Sequence, residues 1–165
     1  MKRLALFLAA LCLMAAPVSA ESAKETEVSQ DILEAEGSIY DLKVKSAEII
    51  EKADDYGTEV EPDNGYQFLV VRFEAKNISD EDNYLNRYNF LGYADDFEAK
   101  QLDYHSEGEH DGIMTGDVVA GKGMRGYLIF EVPDDWEVFE VMYEEKYREP
   151  KLKMMFTRDG ELFDE

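Results

Sequence analysis

The densest run of candidate ligands in this 165-residue chain is His105-Ser106-Glu107-Gly108-Glu109-His110-Asp111. In an extended segment His105, Glu107 and Glu109 share one side, and His110 and Asp111 can fold back toward them, an N/O set suited to zinc. The spacing matches no established zinc motif, and a solvated polar loop uses the same residues, so these five are weak metal candidates. Copper held by His110 and Met114 is weaker still, because no array of soft ligands accompanies them. Hard cations want several carboxylate and carbonyl oxygens gathered by loops. Asp80-Glu81-Asp82-Asn83, Asp95-Asp96 and Asp134-Asp135 have that composition, but none follows the EF-hand spacing and acidic pairs also make ordinary turns. No cofactor is expected, and calcium is the ion the chain would take if it takes one.

Other spellings carry less. Gly121-Lys122-Gly123-Met124-Arg125-Gly126 reads G-x-G-x-x-G, which in a dinucleotide site opens a helix that receives pyrophosphate at its N-terminus. Here Tyr127-Leu128-Ile129-Phe130 follows, a strand pattern, so the glycines read as turn formers. None of the serines after Ala20 sits in G-x-S-x-G, His105 beside Ser106 does not make a triad, and nothing singles out a carboxylate pair for glycosidic chemistry. The expectation is no catalytic residue and no enzyme. Tyr84, Tyr88, Tyr93 and Tyr104 flank the middle of the chain; where exposed, tyrosines contact sugars or proteins at low entropy cost, and otherwise they pack in sheets with the hydroxyl at the surface. Asn77-Ile78-Ser79 has the glycosylation spelling, which matters only in a eukaryotic host, and a bacterium is expected.

The elements that must position these residues are strands. Across residues 65–78, Leu69, Val71, Phe73 and Ala75 alternate with Arg72, Glu74 and Lys76, while residues 66–71 are apolar on both faces apart from Gln67. That pattern predicts a central strand covered on both sides in its first half. Glu61-Pro62-Asp63-Asn64-Gly65 is the turn that launches it. In residues 39–50 the apolar phase slips between Val44 and Ala47, as a bulge requires. Further strands are predicted over 84–93, 97–104, 117–120, 126–133, 136–143 and 151–157, with a tight turn at Ala94-Asp95-Asp96 and a long loop over 105–116. Pro133 ends its strand because it lacks an N–H.

Composition sets the setting. Lys2 and Arg3 precede an apolar run over 4–16, and Val18-Ser19-Ala20 offers the small residues a signal peptidase reads. Residues 1–20 are therefore expected to be a signal peptide, 21–37 a flexible acidic leader, and 38–165 one domain. The apolar run falls short of the about 20 residues a bilayer span needs, so no transmembrane anchor is expected after signal cleavage. The single cysteine, Cys12, lies inside the signal behind Leu11, which argues against a lipid anchor and leaves the mature chain without a disulfide. With 38 acidic against 17 basic residues the formal charge is −21, and cleavage would remove two more positive charges. Nucleic acid is repelled as a partner; cationic partners and divalent ions are favoured.

Pro-x-x-Gly-x-x-Phe-Leu-Val-Val over 62–71, Asn77 closing that strand, Phe90, and Gly123 through Gly126-Tyr127-Leu128-Ile129-Phe130-Glu131-Val132-Pro133 resemble the bacterial secreted telokin-like domains of unknown function, related to the mycobacterial immunoprotective extracellular protein. The resemblance covers roughly 38–157 and implies an immunoglobulin-like sandwich; it carries over no catalytic residue. The chain departs from the pattern at Ala120-Gly121-Lys122-Gly123, which lacks a proline, and at Ala94-Asp95-Asp96, which lacks a glycine. The sequence as a whole predicts an all-β fold, an immunoglobulin-like two-sheet antiparallel sandwich of seven or eight strands. Its expected role is a non-enzymatic binding or interaction module, secreted or associated with the cell envelope, with a protein or envelope component as partner and calcium binding as the alternative. Its oligomeric state is not specified.

Overall fold

The turn at Pro62-Asp63-Asn64-Gly65 forms where expected: Gly65 takes φ 82° and the Tyr66 N–H donates to the Asp63 carbonyl at 2.9 Å. From it runs the longest strand of a computed structural model that describes residues 26–27, 38–55, 58–103, 112–144 and 151–158. In chain order the strands are β1 Thr26–Glu27, β2 Tyr40–Ile50, β3 Ala53–Asp55, β4 Thr58–Val60, β5 Tyr66–Asn77, β6 Asn83–Leu85, β7 Phe90–Ala94, β8 Phe97–Leu102, β9 Gly116–Val118, β10 Gly123–Pro133, β11 Val138–Glu144 and β12 Lys151–Thr157. Eight of them hydrogen-bond in the order β1-β2-β5-β10-β8-β7-β11-β12, every ladder antiparallel.

That one ladder closes over itself as two layers, because β8 changes sides. Its residues 100–102 pair with Ile129, Phe130 and Glu131 of β10, while its residues 97–99 pair with Gly92, Tyr93 and Ala94 of β7. The fold is the predicted all-β, immunoglobulin-like sandwich, with β5 central in the first layer. Leu69, Val71 and Phe73 of β5 and Phe130 of β10 face Phe90, Phe139, Val141 and Tyr143 of the second layer in a dry interior. Rings meet across the gap at centroid distances of 5.1 Å for Phe130 and Phe139 and 5.2 Å for Phe73 and Phe90. Gly92 makes the first contact fit: a Cβ there would lie 2.7 Å from atoms of both Phe130 and Phe139.

The other face of β5 is also covered, as its two-sided apolar start requires. Phe68 and Val70 join Tyr127, Ile129, Leu102 and Ala53 in a second, smaller core. Its lid is the β3–β4 hairpin, which the sequence pattern did not announce, together with a short return segment in which Ile113 bridges Tyr127. Gly126 allows that segment in, since a Cβ would meet the Gly112 carbonyl oxygen at 2.8 Å. The β2 bulge falls between Val44 and Ser46, as the phase slip indicated.

One expected strand is two. Residues 84–93 break into β6 and β7 around a 3-10 turn at Arg87–Asn89, because the Asn86 side chain accepts the Tyr88 N–H at 3.0 Å and so competes with ladder bonding. β6 then pairs with β9 as a separate ribbon. Within the predicted leader, Thr26 and Glu27 pair with Ala47 and Ser46 of β2; the remaining residues of 21–37, and the signal segment, lie outside the described residues. Among the described residues no helix is long and apolar enough to cross a membrane.

Candidate functional site

The switch of β8 from one layer to the other leaves a gap beside it. Lys100 opposite Glu131 is the last β8–β10 pair, after which Val132 and Pro133 pair only with β5. Between the diverging strands lies a groove of about 650 Å³, with Ala94 and residues 97–100 along one wall and Asp63, Tyr66, Glu131 and Pro133 along the other. Phe97 is 75 % exposed and Tyr66 47 % exposed, two large aromatic surfaces lining the groove.

The Glu131 side chain is only 10 % exposed. One carboxylate oxygen accepts the Asp63 N–H at 3.0 Å, tying the launching turn to β10, and the other accepts from the Lys100 ammonium at 3.4 Å. Because Lys100 is largely solvated, that pair contributes at most about 1 kcal/mol. Asp63 and Tyr66 also wall a second depression of about 350 Å³, whose other sides include Glu51, Lys52 and Glu61. Lys52 pairs with Glu59 and Glu61, and the hydrogen bond to Glu59, then that to Glu61, holds its ammonium above the ordinary lysine value. The two openings together thus present five carboxylates and two lysines, both lysines already paired with acids. No nucleophile stands beside a base among these lining residues. The arrangement offers a ligand charge and aromatic contact.

The sequence-derived metal candidates His105, Glu107, Glu109, His110 and Asp111 lie outside the described residues, as does Tyr104. Among the described residues no three His, Cys, Asp or Glu side chains gather closely enough to hold a metal ion. The acidic loops are fastened into turns: an Asp82 carboxylate oxygen accepts the Ala120 N–H at 2.9 Å, and Asp95 accepts the N–H groups of Glu137 and Val138 at 3.3 and 3.0 Å. Arg158 donates to the Asp134 carbonyl. The Gly121–Gly126 spelling runs directly into β10 rather than a helix, with Gly121 at φ 69° in a turn. Asn77 is fully buried, donating to the carbonyls of Glu81 and Val118 and accepting from Ser79, so its amide is a loop organiser closed to a glycan.

Tyr84 and Tyr88 are exposed and Tyr93 is half-buried. The Tyr88 hydroxyl accepts from Arg87, whose guanidinium also lies 4.8 Å from the ring centroid of Tyr88 and pairs with Asp103. Tyr66 and Phe97, the aromatics that line the groove, were not singled out by the sequence. Alternation puts Phe97 on the same face as buried Ala99, so its pattern is that of a core residue.

The family model described as Domain of unknown function (DUF4352) matches residues 30–151, most of the chain. The chain belongs to that family. Two solved structures share the fold of this family member. The ycdA protein of Bacillus subtilis superposes with a TM-score of 0.57 at 19 % identity, over 86 % of this chain and 39 % of its own. The yjhA protein of the same species gives 0.53 at 17 % identity, over 72 % and 79 %. This chain therefore spans about two fifths of the ycdA structure. No curated protein matches it.

Proposed function

We propose that the chain is an exported, non-enzymatic binding module that recognises a protein of the cell envelope or extracellular space. The observation that carries this reading is the open groove between β8 and β10, lined by exposed Phe97 and Tyr66 together with the carboxylates of Asp63, Glu98 and Glu131. Export is supported by the signal-like pattern of residues 1–20, and the resemblance to secreted telokin-like domains agrees with it. The ycdA protein, which shares the fold, is described as a candidate lipoprotein, a placement on the same side of a membrane.

The test is a turnover panel. Purified protein incubated with peptides, esters and glycans is expected to leave all of them intact by mass spectrometry. Turnover that a single Ala substitution abolishes would overturn the reading.

A further inference from the structure

We infer that the groove between β8 and β10 receives an extended basic segment of a partner protein, with a lysine or arginine side chain laid against the exposed aromatics of the groove near the Glu98 carboxylate. The inference rests on the binding-module reading and names the chemistry of its partner.

Charge is the first argument. The groove and the depression beside it carry five carboxylates, and their two lysines already have acidic partners. A cation entering here meets the surplus of three carboxylates over lysines that remains, and the chain's formal −21 draws it in from a distance. An acidic ligand, a phosphate backbone or an anionic lipid surface is repelled by the same field.

Aromatic exposure is the second. Phe97 and Tyr66, both exposed, line this same groove. An aromatic face attracts guanidinium and ammonium groups, and the aliphatic stem of Lys or Arg can lie along the same ring. Together, carboxylates and rings recognise both halves of a long basic side chain, the charged head and the apolar stem.

The backbone supplies the third. Ala94 and Phe97 close a two-residue turn and so form the hydrogen-bonded pair of that hairpin. The N–H and C=O of Glu98 then point away from β7, into the groove, and among the described residues no strand pairs with this edge of residues 97–99. Across the gap Pro133 has no N–H to offer. An extended chain can pair with Glu98 while its side chains reach the rings, the mode by which peptides add to open sheet edges.

The experiment titrates isotope-labelled full-length protein with a short peptide alternating Lys and Thr, with a Glu-Thr peptide and a neutral oligosaccharide as controls, and follows backbone amide shifts. The expected result is saturable shifts concentrated at Tyr66, Phe97, Glu98, Lys100 and Glu131 with the basic peptide alone. Affinity should fall about tenfold in Phe97→Ala and in Tyr66→Ala, both exposed positions where folding is spared, and further in Glu98→Lys. Glu98→Gln separates loss of charge from charge reversal. Shifts scattered over the surface and indifferent to these variants, preferential binding of the oligosaccharide, or no binding at millimolar peptide each overturn the groove assignment while the module reading stands. Cleavage of the probe peptide, seen in the same tube by mass spectrometry, would instead remove the non-enzymatic reading.

Discussion

Asp95 shows how one residue can stand in for another. It holds φ 52°, the left-handed conformation that hairpins of this type usually give to glycine. An L-residue there costs about 1 kcal/mol or more. The offset is visible: the carboxylate accepts two N–H groups from residues 137 and 138, and its own N–H donates to the Val138 carbonyl at 2.8 Å. Asp95 is thus at once a turn residue and the clasp that holds the β7–β8 turn to the start of β11. Asp95→Ala keeps the strained backbone and loses the side-chain bonds, an expected loss of about 2 kcal/mol in urea unfolding. Asp95→Gly should recover part of that loss by relieving the strain. Equal destabilisation by both substitutions would mean that backbone strain plays no part. Glu131 works in the same manner, since a nearly buried carboxylate holds the turn that precedes β5 through the Asp63 N–H.

At the level of elements, β5 and β8 do opposite things. The first half of β5 lies between two cores, with Leu69 and Val71 toward the second sheet and Phe68 and Val70 under the β3–β4 hairpin. Its two-sided apolarity requires that second cover, and the hairpin supplies it. Phe68→Ala should therefore cost about 3–5 kcal/mol in denaturant unfolding, the range of a true core position, although Phe68 faces away from the space between the sheets. A loss under 1 kcal/mol would show that the outer cluster is only loosely packed. β8 is the joint between layers, and its shift from β10 to β7 opens the groove. The groove is therefore a consequence of closing the sandwich, available wherever one strand serves both sheets.

For the whole molecule, the large negative charge opposes compaction as well as steering partners. Screening should relieve that self-repulsion, so raising sodium chloride from low to physiological strength is expected to raise the melting midpoint. Asp82 and Asp95 of the acidic loops use their carboxylates to fasten turns, so calcium at matched ionic strength is expected to add nothing beyond magnesium. A midpoint that climbs with calcium alone, by mass action, would restore the calcium reading through the loop carboxylates of residues 80–82, 95–96 and 134–135.

Alternation of small and large periods was enough to read much of this fold. Leu69, Val71, Phe73 and Phe130 identify themselves as inner-face residues, Phe68 and Val70 demand a second cover, and the slip between Val44 and Ala47 marks the bulge, because each depends on neighbours in the same strand. The break at Asn86 was hidden: its aromatic flanks look like strand, and a single side-chain hydrogen bond decides otherwise. The β3–β4 hairpin was hidden too, since Ala53-Asp54-Asp55 and Thr58-Glu59-Val60 carry too little apolar pattern to be seen alone. Phe97 marks the boundary between the two kinds of knowledge. Its local pattern matches that of Ala99, and whether such a residue is buried depends on what lies across from it, a property of how β8 and β10 diverge in space. Local periodicity determined which residues form strands and which faces are apolar; only the meeting of strands distant in the chain decided where an apolar face would be left open to a partner.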